Sequence, residues 1–372
     1  MKIKYPDYNL SLLNLVSSVL VHFGVTTHHK TLPAFDSLLS TQYKNVVIML
    51  FDGLGTAILE KHLPFDAFLC HHLHSTISSV FPPTTTSATT TMGTGLSPIE
   101  HGWLGWSLYF NEIDANVNIF PNTLSGSGGR SAADYHVAQR YIPFESIWNK
   151  ISKDSNSVVK AYSVSPFSSF KSKSIYEICN TVKRLCTENR RKYIYTYWDQ
   201  PDYDMHLYGT SDEQVKAQVW YINEAVELLC EELYDTLVIV TADHGLVDTK
   251  WRYLIDYPDI TECLLRVPSI EARAYSFFIK PGMKDRFVTA FNRHFGDCYL
   301  LFSKEQILQN KLFGDSIPNP RSIGFIGDYL GVATGSYSID YAPSADHDVF
   351  KAAHAGLTDE EMNVPFIVVE CR

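Results

Sequence analysis

The sequence predicts an α/β fold: a mostly parallel central sheet with helices on both faces, plus a small α+β insertion capping one edge. Three observations carry this. Apolar runs of strand length alternate with segments of helical period, as crossover connections between parallel strands require. The run Asn45–Phe51 is apolar at successive positions, the pattern of a strand buried on both faces. Three runs end in Asp or Asp and His: VVIMLFDG, KYIYTYWDQPDYDMH and TLVIVTADHG. Parallel strands deliver their C-terminal ends to one edge, where ligands bind.

The elements follow in order. Residues 10–21 place Leu10, Leu13, Val16 and Leu20 on one face, which predicts an amphipathic helix and no signal peptide. Asn45–Phe51 is the first strand, and Gly53 and Gly55 allow the tight turn after it. Residues 76–81 are a second strand. Pro82-Pro83 and a Thr-rich run follow, starting a helix at about residues 85–88. Residues 107–140, rich in Asn, Ser and Gly, read as a long loop or small hairpin. Residues 158–164 form a strand. Residues 174–189 form a helix with Ile175, Ile178, Val182 and Leu185 on one face. Lys192–Trp198 is a strand, 212–233 a helix and 237–241 a strand. Residues 251–343 alternate strand, helix, strand and helix without site motifs, and read as a cap. Residues 364–369 are the last strand. The expected division is a catalytic core of 1–250 and 344–372, with 251–343 inserted.

Composition narrows the function. The 372 residues fit two or three domain-sized units, or one large α/β domain with an insertion. Hydrophobic residues at 45% supply a sizeable core, and charged residues at 19% argue against long disordered tails. A net charge of −10 disfavours a nucleic-acid duplex as partner, although bound metals can supply local positive charge. Seven scattered cysteines, odd in number and without a CxxC pair, predict no disulfide framework and a cytoplasmic setting. No apolar run reaches the length of about 18 residues that a spanning helix needs, so no membrane association is expected.

The chemistry sits at the strand ends. Asp52 follows a buried strand and precedes Gly53; its plain alternative is to cap a helix. Asp202 and His206, four apart after Pro201, share one face of a helical turn, while Asp204 faces away. Asp243 and His244 close a strand at Gly245, which gives the backbone room. Carboxylates and imidazoles gathered at one edge suit a divalent ion such as Zn²⁺. In SVFPPTTTSATTTMGTG a hydroxyl at a helix N-terminus suits an alkoxide and a phosphate, or simply caps the helix. The pattern leaves Thr84, Thr85 and Thr86 all open. His354 precedes the last strand by a loop. His28-His29 and His71, His72 and His74 read as surface, and His101 as the structural end of the helix that the Thr run begins.

Taken together, LFDGLG, FPPTTTSATTTMGTGLSPIEHGW, PDYDMHLYG, TADHG and HAGLTDEEMNVPFIV resemble the alkaline phosphatase superfamily, most closely its nucleotide pyrophosphatase/phosphodiesterase branch. Their order and spacing match across about residues 45–246 and 350–369. The resemblance implies two zinc ions, with manganese as the alternative. One would be held by Asp202, His206 and His354, the other by Asp52, Asp243, His244 and the nucleophile. Counting from Pro82 and from Thr94, the family's spacing selects Thr85 as that nucleophile. It also implies a two-step displacement on a small phosphate ester through a phosphothreonine. Two departures stand out. The stretch Thr86-Ser87-Ala88-Thr89 lacks the Asn frequent after the nucleophile, and Trp103-Leu104-Gly105-Trp106 lacks a second Asn that holds the phosphoryl group. Phosphate recognition is therefore expected to differ, and nucleotide specificity stays open. No CxPxR motif supports the sulfatase branch. A phosphomonoesterase, phosphonate hydrolase or phosphomutase on the same metal core, and a non-catalytic metal-binding protein, are the competing readings.

Overall fold

In a computed structural model, which describes residues 1–155, 158–343 and 350–372, the apolar runs assemble into one six-stranded sheet. Its strands along the chain are β1 (Asn45–Phe51), β2 (Leu73–Ser78), β3 (Lys160–Val164), β4 (Lys192–Trp198), β5 (Thr236–Thr241) and β6 (Asn363–Cys371). Their spatial order is β2-β6-β5-β1-β4-β3. Every residue of β1 and β5 is buried, as helices on both faces demand. At about 1.5–3 kcal/mol for each large apolar side chain removed from water, these central strands anchor the core.

The sheet is mixed rather than purely parallel, so the mostly parallel expectation holds in part. The neighbours β5, β1, β4 and β3 are parallel, but β6 runs antiparallel to both β5 and β2. The reason is local. His354 lies at the ligand edge, and only a loop and the one-turn helix Asp359–Met362 separate it from β6. A parallel strand would need a crossover of about a dozen residues or more. β6 must therefore leave from the edge at which the chain already stands. β2 ends at Ser78 rather than continuing to residue 81, because its last partner is Asn363, the first residue of β6.

Helix Glu213–Glu232 buries Val215, Val219, Ile222, Val226 and Leu229, a spacing that keeps one stripe inward, and packs against helix Ile175–Thr187. Helix Leu12–His22 departs from the amphipathic expectation: Leu12 through Leu20 are all buried. Its polar residues are satisfied internally. Ser17 Oγ donates to the Leu13 carbonyl at 2.7 Å, Asn14 Nδ2 to Tyr8 and Lys30 carbonyls at 3.0 and 2.9 Å, and Ser18 Oγ accepts from Leu32 N at 2.9 Å. The helix packs on Thr85–Thr94. No described helix is long and apolar enough to cross a membrane.

A second sheet of seven strands covers the other end. It takes Ser269–Glu271, Ala274–Phe277, Tyr299–Ser303 and Tyr329–Ala333 from the expected cap, and Ser107–Phe110, Ala115–Asn118 and Thr123–Leu124 from the loop-or-hairpin region. The cap sheet is thus built from two separate stretches, joined where Ile270 pairs with Ser107. Residue 344, the expected return to the core, lies outside the described residues. Phe277, Phe287, Phe291 and Phe295 form a core belonging to this part alone.

His101 also differs from expectation. Gly95, at φ +71°, ends the Thr85–Thr94 helix, and His101 closes a separate turn, Pro98–His101. It is buried, accepts from Trp103 N at 3.0 Å through Nδ1 and lies 3.2 Å from Thr91 Oγ1 through Nε2. Burial holds its pKa down at about 3. The unfolded chain therefore binds a proton below about pH 6.5 that the folded chain refuses, so stability falls as pH drops from there toward about 3. From ~pH 6.5 to ~5 this one group removes on the order of 2 kcal/mol. Urea unfolding at both pH values should show a steeper loss in wild type than in His101→Gln. Equal slopes would contradict this assignment.

Candidate active site

The parallel register of β1, β4 and β5 brings three acidic strand ends together. Phe51 pairs with Trp198 and Leu50 with Thr241, so Asp52, Asp202 and Asp243 emerge at one edge. Backbone bonds lock the loops: Asp52 N donates to Trp198 O at 2.9 Å and Asp202 N to Asp52 O at 3.1 Å. Gly53 has φ +72°, and a Cβ there would lie 2.9 Å from the Asp202 Cβ. Gly245 packs so closely on Gly55 and Glu360 that a Cβ would meet the Glu360 carbonyl at 2.1 Å. Side chains at these two positions would push the ligand loops apart.

Thr85 is the first residue of the ten-residue helix Thr85–Thr94, with Thr84 as its N-cap residue. Thr85 Oγ1 lies 3.2 Å from Asp52 Oδ2 and 3.2 Å from His244 Nε2. Free N–H groups and the helix dipole make this end favourable for an anion. His244 Nε2 is 3.3 Å from Asp52 Oδ1 and 3.6 Å from Asp243 Oδ2. Across the cluster, Asp202 Oδ2 lies 3.3 Å from His206 Nε2, both on the one helix Asp202–Tyr208, and Asp202 Oδ1 lies 3.9 Å from His354 Nε2. The His244 and His354 rings stack at 3.8 Å. Asp204 instead pairs with Gln200 at 3.2 Å.

The residues fit divalent cations. His206 Nδ1 lies 2.7 Å from the Ala352 carbonyl, His244 Nδ1 3.2 Å from the Gly245 carbonyl and His354 Nδ1 3.2 Å from the Pro83 carbonyl. A carbonyl only accepts, so each Nδ1 carries a proton. With Nδ1 committed to a carbonyl, it is Nε2 that faces inward, and a bound ion in place of a proton there would take its lone pair, the usual arrangement of a metal-ligating histidine. Asp202 Oδ1 and Asp243 Oδ2 are buried with no hydrogen-bond partner, although buried polar atoms are normally paired. Two compact groups stand out within this cluster: Asp202, His206 and His354, and Asp52, Asp202 and His244. The second contains Asp202 where the resemblance implies Asp243. Asp243 commits Oδ1 to Gly53 N and His244 N at 3.1 and 3.0 Å and keeps Oδ2 free.

The electrostatics agree. Burial and then the Asp52 charge push the Asp243 carboxyl well above its usual range. Burial alone would lower His244, but Asp243 and Asp52 outweigh it and raise the ring to about 10. Burial would raise Asp202, but His206 outweighs it and holds the carboxyl down. His354 is pushed well below its usual value by burial and then by His244. The raised Asp243 and His244 show the cluster holding protons against its crowded carboxylates, and bound cations would take the place of those protons.

Three supporting contacts were not visible in sequence. Tyr197 on β4 donates to Asp52 Oδ2 at 2.5 Å, and burial followed by the Asp52 charge keeps its hydroxyl protonated. Glu271, from the second sheet, accepts from Thr84 Oγ1 at 2.6 Å and Trp106 N at 2.7 Å. Arg273 and Glu361 form a fully buried pair behind His354, with Nε to Oε1 at 2.7 Å. Glu361 lies within HAGLTDEEMNVPFIV, but these contacts are not legible there, because their partners are set by packing between distant segments. Trp103 belongs to the core, with Nε1 donating to the Ile142 carbonyl at 2.9 Å, whereas Trp106 is exposed.

The fold is similar to solved structures. Murine ectonucleotide pyrophosphatase/phosphodiesterase 5 aligns with a TM-score of 0.64 at 16% identity, covering 87% of each chain. Its human counterpart gives the same TM-score, 0.64, at 16% identity and 87% coverage of each chain. An inactive threonine-to-alanine variant of the murine protein, in complex with AMP, aligns at 0.63, 16% and 87% of each chain. No curated protein matches the sequence significantly. The family model for type I phosphodiesterase / nucleotide pyrophosphatase matches residues 46–342, a span that includes Asp52, Thr85, Asp202, His206, Asp243 and His244, and the chain belongs to that family within the alkaline phosphatase superfamily.

Proposed function

We propose that the chain hydrolyses small phosphoric diesters, including nucleotide esters, with Thr85 as nucleophile. The observation that carries this is the Thr85 hydroxyl, held 3.2 Å from both Asp52 and His244 at a helix N-terminus. Family membership supports phosphodiester chemistry, and the AMP bound by the murine variant supports a nucleotide as one substrate. Asp202, His206 and His354 would hold one divalent ion, and Asp52, Asp243, His244 and Thr85 a second. Zinc suits this donor set and manganese is the alternative. Such ions supply Lewis-acid stabilisation of charge on the reacting oxygens.

The chain's own residues set the geometry. Asp52 and His244 orient Thr85 Oγ1, and Tyr197 fixes the Asp52 carboxylate. Thr85 Oγ1 forms a bond to phosphorus as the ester oxygen leaves, giving a phosphothreonine. Water then cleaves that bond and restores the hydroxyl. The N-terminal N–H groups of the Thr85–Thr94 helix hold a non-bridging oxygen.

The test compares three esters with Zn²⁺ or Mn²⁺ added: bis-p-nitrophenyl phosphate, a nucleoside 5′-monophosphate p-nitrophenyl ester and p-nitrophenyl phosphate. Diester turnover should exceed monoester turnover, and chelation should abolish both. A monoester preference would assign the site to phosphomonoesters instead. Absence of turnover with every metal and ester would refute hydrolysis.

A further inference from the structure

We propose that His28, His29 and Glu100 form a binding site for a divalent transition-metal ion of the zinc class, separate from the cluster around Thr85. His28 Nε2 lies 2.6 Å from Glu100 Oε1, and His29 Nε2 lies 2.8 Å from Glu100 Oε2. One ligand atom from each side chain falls within 4.8 Å of the others. Donors sharing one tetrahedral zinc ion sit about 3.4 Å apart, so a small adjustment of these side chains seats the ion.

The donor arithmetic favours an ion over a plain ion pair. Glu100 caps the Pro98–His101 turn, and its Oε2 accepts from Ser97 N at 2.7 Å and Ser97 Oγ at 2.5 Å. Those two donors fill the lone pairs of that oxygen. His29 Nε2 points at the same atom, with its side chain only 6% exposed, and makes no hydrogen bond. Its close contact is thus with an oxygen already filled by Ser97, and a buried imidazole nitrogen that makes no hydrogen bond is unusual. A cation between the two Nε2 atoms and Oε1 satisfies it through its lone pair. The His28 and His29 rings already approach to 4.1 Å, and His29 N donates to Thr27 Oγ1 at 3.2 Å, which fixes the loop.

The site opens on a cleft of about 840 Å³, which Asp7, Asn9 and Asp315 also line, so water can complete the coordination. His29 is therefore not the surface residue expected from sequence, whereas His28 is exposed. Bound there, an ion would tie the N-terminal loop to the Pro98–His101 turn, whose last residue contacts the nucleophile helix through Thr91.

The test is equilibrium dialysis of the full chain against low-micromolar Zn²⁺ alone, comparing wild type with His28→Ala and Glu100→Gln. Each variant should retain one ion fewer per chain than wild type. The difference does not depend on how many ions the Thr85 cluster takes, so the proposal and the catalytic reading fail separately. His28→Ala alters an exposed side chain, and circular dichroism should show it folded even if Glu100→Gln loses its cap. Equal ion counts in wild type and His28→Ala would overturn the site and leave a metal-free ion pair in its place.

Discussion

Replacing Thr85 by alanine should lower kcat for diester hydrolysis by about 10⁴-fold or more, the scale on which removal of a nucleophile acts. The fold should survive. Among the described residues Thr85 Oγ1 hydrogen-bonds only with Asp52 and His244, and the helix bond that Thr89 Oγ1 donates to the Thr85 carbonyl at 2.6 Å is untouched. Asp202, His206 and His354 keep all their side chains, so that group should still take up metal. Far-UV circular dichroism and metal content therefore separate loss of the nucleophile from loss of structure. Thr85→Ser should recover part of the rate, because it restores the hydroxyl at the same backbone position. Substantial turnover by a folded, metal-loaded Thr85→Ala protein would refute the assignment and direct attention to Thr84 or Thr86.

The largest stability effect is expected at Glu361. Its carboxylate is fully buried, takes Arg273 Nε at 2.7 Å and an Arg273 terminal nitrogen at 2.8 Å, and accepts from Gly356 N and Thr358 Oγ1, each at 2.7 Å. Arg273 gives two further donors to the Tyr337 and Gly335 carbonyls, both at 2.9 Å. Glu361→Ala leaves a guanidinium buried without its counter-charge, which costs about 3–5 kcal/mol. Urea denaturation would measure it, and a loss under about 1 kcal/mol would contradict the buried-pair account. Activity should fall as well. Ala355, between His354 and the Gly356 amide that Glu361 holds, sits at φ +94°, a conformation that persists only when its surroundings enforce it. Releasing Gly356 relaxes that residue and moves the His354 ring. Metal affinity should therefore drop in Glu361→Ala under conditions where the protein is still folded.

Much of the fold could be read from local pattern. β1 and β4 occupy the residues expected of them, because a strand buried on both faces is a continuous apolar run and nothing else of that length competes. Asp52 directly follows such a run and Asp243 and His244 close another, while Asp202 and His206 were visible as an i,i+4 pair soon after β4. The direction of β6 was hidden, since it depends on which edge the chain occupies after His354. The cap sheet was hidden too. Its strands are short, and the Ile270–Ser107 pairing joins segments with no shared signal. The N-terminal helix misled because Asn14, Ser17 and Ser18 look like a wet face but find partners within the core. Tyr197, Glu271, Arg273 and Glu361 act through tertiary contacts that spacing does not encode.

The place of β6 has a consequence for synthesis. It is translated after the other five strands, yet it lies between β2 and β5. Until it emerges from the ribosome, β5 presents a bare edge and β2 has no neighbour in its sheet. A nascent chain in that state exposes the kind of unpaired apolar strand that recruits other chains. The helices that cover both faces must then close over an incomplete sheet, or wait. His354 is also made late, so the group it shares with Asp202 and His206 cannot form while the chain is still being elongated through the cap.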